Sequence, residues 1–357
     1  MLCLLLRRDS LRGINESKVI KTIPFGKKVI GPGFPVVVIA EIGINHEGDA
    51  EICMQLIQAA ASAGADAVKL QTVNPDECYA PGTDSYELFH KAQLTQFETI
   101  KAFKYARELG LECFSTCGDE LSIDFIESLS PPAWKISSGL LTHLPLIRRV
   151  ASTGRTILLS TGMTGMTEVR CAVDTARNAG AKSIGIFQCT SLYPAIPEVL
   201  HLRVIDTLAQ EFAIPIGFSD HSIGSMAATL SVACGVHMIE KHISLDTSRK
   251  GFDHHISLDP YGFKSFVEAV RISEIMLGDP GKVVPHLVKE NSNKFLRCIA
   301  ARHEIPLGKL IVRSDIAVLR LSEGCIGLPP DAINWIPGRY ALRNIEAFQP
   351  IKEEDIS

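Results

Sequence analysis

His221 follows Asp220 in GFSDHS, and His242 follows Glu240 and Lys241 in IEKHIS. If these two runs are neighbouring strands, both imidazoles face one point. Imidazole suits Mn, Fe, Co, Ni or Zn, and two such ligands leave positions for water and a substrate oxygen. Two histidines packed against loops would read the same way, but the carboxylate of Glu240 on the strand of His242 favours a site. Lys69 and Lys135 end two other apolar runs. With the hydroxyls of Ser138, Ser160 and Ser219 and with glycine-flanked backbone donors, they supply what a phosphate dianion needs. A Schiff-base lysine is the rival chemistry, and the neighbouring hydroxyls favour anion binding. Glu41 also closes an apolar run, where desolvation raises a carboxyl pKa. That setting suits a general acid or base, and equally a core carboxylate paired with a lysine.

These residues need a scaffold that gathers strand ends. Eight short runs rich in β-branched residues occur at 36–43, 66–72, 111–116, 133–139, 156–162, 183–191, 214–222 and 236–244. Helical patterns lie between them, such as those at 50–64, 97–110 and 168–180, many closed by glycine at the expected cap, and one at 261–278 follows the last run. Near-continuous apolar strands alternating with helices predict a parallel sheet covered by helices, and eight repeats predict a closed (β/α)8 barrel over 35–279. An open doubly wound sheet is the alternative, but no G-x-G-x-x-G follows the first run. Every one of the eight runs ends in polar residues, at the end of a barrel where chemistry sits.

Proline and glycine break the pattern over 280–290, which reads as a linker. Short β-like pieces fill 291–357, a segment small enough to lean on the barrel or on a second subunit. Residues 1–34 read as an N-terminal extension. The apolar run of MLCLLLRRDS precedes its arginines, the reverse of a secretory signal. No stretch has the length of a membrane span. A net charge of −4 over 357 residues gives no reason to expect nucleic acid. The ten cysteines show no repeated spacing and several fall in apolar runs, which reads as structural, reduced thiols and a cytoplasmic protein. Cys113 and Cys117 form a lone C-x3-C, a weak metal or redox signal.

The ordered segments AEIGINHEGD, GADAVKLQT, FST, WKISSG, LLSTGM, CTSLYP, GFSDHS and IEKHISLD resemble the successive motifs of sialic acid synthases, with their legionaminic, pseudaminic and spore-coat relatives. The tail resembles their antifreeze-like (SAF) domain, a β-clip module. The resemblance implies condensation of phosphoenolpyruvate with an open-chain N-acylated hexosamine such as N-acetylmannosamine, giving a nonulosonate and phosphate. It implies Mn2+ or Mg2+ as Lewis acid, held by His221 and His242, and Glu41 as the acid/base group. Lys69, Thr116, Lys135, Ser138, Ser160 and Ser219 would form the phosphoenolpyruvate pocket. Gln71, Ser191, Tyr193, Glu240 and Asp253 would meet the sugar or stand behind those contacts. Arg320 would close the acceptor pocket of the opposite subunit in a homodimer. A legionaminate or pseudaminate synthase is the alternative within the family, and a Schiff-base aldolase the alternative outside it. Cys117-Gly118 stands where these enzymes usually have Pro-Phe, Leu140 replaces an acid, Gln188 a histidine, and Leu321-Ser322 a Pro-Gly pair. These departures surround the acceptor side.

Overall fold

Burial on both faces of the strands explains the barrel. In the computed structural model, which describes residues 19–321 and 326–357, eight parallel strands close on themselves: β3 (Val37–Gly43), β4 (Ala67–Gln71), β5 (Glu112–Thr116), β6 (Ala133–Ile136), β7 (Thr156–Ser160), β8 (Ile184–Cys189), β9 (Ile216–Asp220) and β10 (Met238–His242). Side chains two apart on a strand share a face. One set, including Val38, Ala40, Val68 and Ile157, packs outward on the helices. The other set fills the barrel with Val37, Ile39, Ala67, Phe114, Ala133, Leu158, Phe187 and Met238. The bulk of Phe187 and Met238 fits because β9 contributes Gly217, where a Cβ would lie 2.4 Å from Met238 and 2.7 Å from Phe187.

The helical layer runs α1 (Ala50–Ser62), α2 (Pro75–Cys78), α3 (Asp84–Ala92), α4 (Gln96–Glu108), α5 (Glu120–Ser128), α6 (Leu144–Ala151), α7 (Met166–Asn178), α8 (Val204–Phe212), α9 (Met226–Ala233) and α10 (Pro260–Leu277). Local chemistry starts several of them. Asp49 caps α1, Thr95 and Glu98 form a capping box on α4, and Asp119 caps α5. The two short helices α2 and α3 had no apolar period in the sequence and interrupt the βα rhythm after β4.

Part of the stretch read as an extension belongs to the barrel. β1 (Ile23–Phe25) and β2 (Lys28–Ile30) form an antiparallel hairpin whose Ile23, Phe25 and Ile30 join the interior core. Its turn needs Gly26, which has φ +59 and where a Cβ would meet the Glu112 carboxylate at 2.1 Å. The hairpin stays in place through Thr156 Oγ1, which donates to the Pro24 carbonyl at 2.6 Å. Residues 1–18, with the MLCLLL run, lie outside the described residues, as does Ser322.

The first compact unit ends at Gly278 and the second covers Asp279–Ser357. In the second, α11 (His286–Phe295) occupies part of the stretch read as linker, and β11 (Cys298–Ala301) pairs antiparallel with β12 (Ile316–Leu319). Its core is mostly isoleucine, including Ile299, Ile305, Ile311, Ile316, Ile345 and Ile351. Cys298 is disulfide-bonded, which corrects the view of all the cysteines as reduced. Seven other described cysteines are free, and Cys113 and Cys117 are buried in the barrel's outer core. Among the described residues no helix is long and apolar enough to cross a membrane.

The hairpin generates a stability test. Phe25 is fully buried and meets Phe114 edge-on at 5.4 Å. Phe25→Ala is expected to cost about 3–5 kcal/mol, measured as a lower chemical-denaturation midpoint, with Michaelis constants unchanged because the chemistry lies at the other end of the barrel.

Candidate active site at the barrel mouth

The inward parity that fills the barrel with apolar groups turns polar at the last position of each strand. Glu41, Lys69, Thr116, Lys135, Ser160, Cys189, Ser219, Glu240 and His242 all line one cavity of about 880 Å³. Every site residue expected from the sequence except Arg320 lines it, including Gln71, Ser138, Ser191, Tyr193, His221 and Asp253. Polar residues of the opposite parity serve the helical shell instead. Ser115 donates to the Leu70 carbonyl, Gln188 to the Leu200 carbonyl, and Asp220 pairs with Lys241 at 2.9 Å with both side chains fully buried.

Four charges form the floor of the cavity. Lys69 Nζ lies 2.9 Å from Glu41 and 3.8 Å from Glu240, and donates to the Thr116 hydroxyl at 3.2 Å. Lys135 Nζ donates to Glu240 at 2.7 Å and stands 4.6 Å from the centre of the Phe187 ring. Ser219 donates to Glu240 at 3.0 Å, and Gln71 to Glu41 at 3.1 Å. The two carboxyls diverge. Burial raises Glu41 to about 7 against the pull of Lys69. Burial also pushes on Glu240, but Lys135, Lys69 and the Ser219 hydroxyl outweigh it and hold it at about 2. Lys69 is raised because Glu240 and Glu41 overcome its desolvation, whereas burial lowers Lys135. One carboxyl therefore titrates near neutrality while its neighbour stays ionised, the pattern that separates a proton-transfer group from a fixed charge.

On the other side the His221 and His242 rings stand 5.4 Å apart between centroids, and Tyr193 stacks on His221 at 4.3 Å. His221 Nδ1 lies 3.0 Å from the Thr190 carbonyl, which only accepts, so Nδ1 carries the proton and Nε2 keeps a lone pair. Burial lowers the His221 pKa, but the Cys189 thiol and that carbonyl raise it above its ordinary value. His242 is pushed well below its ordinary pKa, by burial first and then by His221 and Lys69. Its Nδ1 is buried without a hydrogen-bond partner, 3.7 Å from Asp253. A neutral imidazole with an orphaned nitrogen, beside a second with an available one, fits a divalent cation. No group of three or more ligating side chains occurs among the described residues, so such a cation would take its remaining ligands from water and substrate.

Asn45 holds this side together. Its amide donates to Ile243 O and Ser257 Oγ, each at 3.0 Å, and its carbonyl accepts from the Asp253 N–H at 3.0 Å. Phe252, next to Asp253, is held at φ +49, a strained value of the kind that collects at functional sites. Among residues that sequence reasoning left out, Cys189 lines the cavity two residues past Phe187. Burial pushes its thiol up, but His221, Ser138 and Lys135 bring it down to about 7. Its parity with Phe187 was the available signal. Tyr79 and Phe89 of the α2–α3 segment also line the cavity and carried no such signal. Arg320 lies in the second unit, where Nε donates to the Lys294 carbonyl at 2.9 Å and the guanidinium covers the Phe295 ring at 4.4 Å.

A closed eight-stranded parallel barrel with a buried lysine–carboxylate floor and an imidazole pair at its C-terminal mouth defines a β/α-barrel enzyme. The NeuB family matches residues 56–282 and the SAF domain matches residues 297–357. The chain is 35% identical to the N,N'-diacetyllegionaminic acid synthase of Legionella pneumophila, over 93% of this chain and 97% of that one. It is 32% identical to the pseudaminic acid synthase of Helicobacter pylori, over 90% and 98%. The crystal structure of the N-acetylneuraminic acid (sialic acid) synthetase of Leptospira borgpetersenii superposes with a TM-score of 0.72 at 28% identity, over 76% of this chain and 95% of that one. The protein belongs to the NeuB family and is an enzyme of the sialic acid synthase type.

The fully buried Lys241–Asp220 pair joins β9 to β10 one residue before each histidine. Asp220→Asn leaves Lys241 without its counter-charge and is expected to cost about 3–5 kcal/mol of stability. The double variant Asp220→Leu, Lys241→Met should cost less, as equilibrium denaturation of both proteins would show.

Proposed function

We propose that this enzyme condenses phosphoenolpyruvate with the aldehyde of an N-acylated hexosamine and water, giving a nonulosonate and phosphate. The observation that carries this reading is the convergence of Lys69, Lys135, Glu41, Glu240 and both histidines on one cavity. Lys69 and Lys135, with Thr116, Ser138, Ser160 and Ser219, would hold the phosphate and carboxylate of phosphoenolpyruvate through charge-assisted and hydroxyl hydrogen bonds. His221 and His242 would hold Mn2+ or Mg2+, which supplies a positive charge that polarises an aldehyde oxygen.

Carbon 3 of phosphoenolpyruvate forms the new bond to the aldehyde carbon, whose carbonyl electron pair moves to oxygen. The cationic carbon 2 then takes a water molecule, and phosphate leaves by cleavage of its C–O bond as the new hydroxyl becomes the ketone; the two protons released from the water go to the former aldehyde oxygen and to the departing phosphate. Glu240, held ionised, faces the positive charge that develops at carbon 2. Glu41 in its ionised form takes the proton of the attacking water. Gln71, Ser191, Tyr193 and Asp253 would orient the sugar, and Arg320 from a second copy of the chain would meet its acyl carbonyl. Lys69 is ion-paired with Glu41 and shifted upward by its two carboxylate neighbours, an arrangement that favours an ammonium group there over the free amine of an aldolase.

Phosphate release from phosphoenolpyruvate is expected with at least one N-acyl hexosamine. EDTA should abolish it and Mn2+ restore it. Turnover by the metal-free enzyme, or a borohydride-trapped adduct on either lysine, would contradict this chemistry.

Glu41 titrates at about 7 and is needed ionised. The free-enzyme profile of kcat/KM should therefore rise as pH increases through about 7. Glu41→Gln, which has no carboxyl to ionise, should lose this limb along with most activity. A wild-type profile flat between pH 6 and 8 would remove Glu41 from the proton-transfer role.

A further inference from the structure

One short stretch, from Cys189 at the end of β8 to Tyr193, surrounds the His221 ring. The Thr190 carbonyl lies 3.0 Å from Nδ1 and the Cys189 thiol 3.7 Å from the same nitrogen, while Tyr193 stacks on the ring face. Two acceptors therefore share the one N–H of the ring. The carbonyl is the stronger of them, and the sulfur is the weaker and bulkier. Cys189 is buried, so its sulfur meets protein rather than bulk water, and the bond-forming steps make no use of it.

The thiol is itself held in place. Ser138, just after β6, and Ser191, just after β8, converge with it on Gly162, just after β7. A Cβ on Gly162 would lie 2.4 Å from Ser191 Oγ, 2.8 Å from Cys189 Sγ and 2.9 Å from Ser138 Oγ. Gly162 is not at a positive φ, so its backbone does not demand glycine. The missing side chain is what allows three polar side chains to close on one point. Hydrogen bonds fix the peptide on both sides: the Gly162 N–H donates to Ser138 Oγ at 2.9 Å, and its carbonyl accepts from the Ser191 N–H at 3.3 Å. Ser138, Cys189 and Ser191 all line the cavity. The cluster thus ties the ends of three successive strands to the edge of one imidazole.

On the basis of the condensation and the cation proposed above, we propose that Cys189 is a positioning residue for His221. Together with the Thr190 carbonyl, its sulfur fixes the tautomer and the tilt of the ring, which leaves Nε2 for the cation. Gly162 supplies the room that the sulfur occupies.

The test is Mn2+ binding to the full chain, followed by the electron paramagnetic resonance signal of the free ion. Binding of phosphoenolpyruvate to the metal-free chain is measured alongside by calorimetry. Cys189→Ala should weaken Mn2+ binding about tenfold and change the affinity for phosphoenolpyruvate less than about twofold. Cys189→Ser keeps an oxygen that can accept from Nδ1, and should bring Mn2+ binding back to within about threefold of the wild type. Gly162→Ala is the independent variant. Its methyl displaces Ser138 Oγ as well as the sulfur, so both ligands should bind more weakly. The loss for Mn2+ should shrink when residue 189 is already alanine, because the methyl then has space. The positioning role is overturned, and the condensation kept, if Cys189→Ala binds Mn2+ like the wild type or if serine does no better than alanine. Equal loss of both ligands in Cys189→Ala overturns it too, since that is the mark of a collapsed site. A wild-type chain that binds no Mn2+ overturns the proposed cation and this inference with it.

Discussion

The buried network Glu41–Lys69–Glu240–Lys135 is the constraint around which the barrel mouth is organised. Four ionisable groups sit with almost no solvent contact, where an isolated charge would cost several kcal/mol. Each lysine makes a carboxylate tolerable and each carboxylate a lysine: loss of Lys69 would strand Glu41, and loss of Glu240 would strand Lys135. The network is also unequal. Glu240 shares both lysines and stays ionised, whereas Glu41, with one lysine and an amide, is left near neutrality.

The two ends of the barrel divide stability from chemistry. At the N-terminal end the hairpin of β1 and β2 closes the interior with Ile23, Phe25 and Ile30, so the apolar layer needs no polar residue. The opposite end holds the charges and hydroxyls, whose burial is offset by ion pairs and hydrogen bonds rather than by packing. On the helical side of the barrel wall, Lys241 and Asp220 anchor the two histidine-bearing strand ends to one another, and Asn45 anchors the loop that carries Asp253. Such supports matter because catalytic groups must be held to within a fraction of an ångström.

In the second unit, carboxylates take over the role that packing plays in the barrel. Asp315 accepts from Lys309 at 2.8 Å, from His303 at 2.9 Å and from the Val312 N–H at 3.0 Å. Asp355 likewise accepts from Arg343 and from the Lys352 N–H. A small isoleucine core has few apolar contacts to spare, and buried carboxylates that satisfy turn amides hold chain segments that β11 and β12 alone could not order.

The residue types and their local spacing were sufficient for the barrel and for most of the side chains that line its mouth. A near-continuous apolar run with a polar end is a local signal, so the runs ending in Lys69, Lys135, Glu41 and Glu240 announced both the strands and the polar residues gathered at their ends. The sequence could not show that Lys135 would bind Glu240, more than a hundred residues away, because that pairing depends on strand order and on closure of the sheet. Nor could it show that residues 23–30 would plug the barrel, since a hairpin of two three-residue strands has no periodicity to detect and is stable only against a partner surface. Tyr79 and Phe89 were invisible for the same reason. Their role comes from the space enclosed between a loop and a strand end, and enclosed space exists only after the chain has folded.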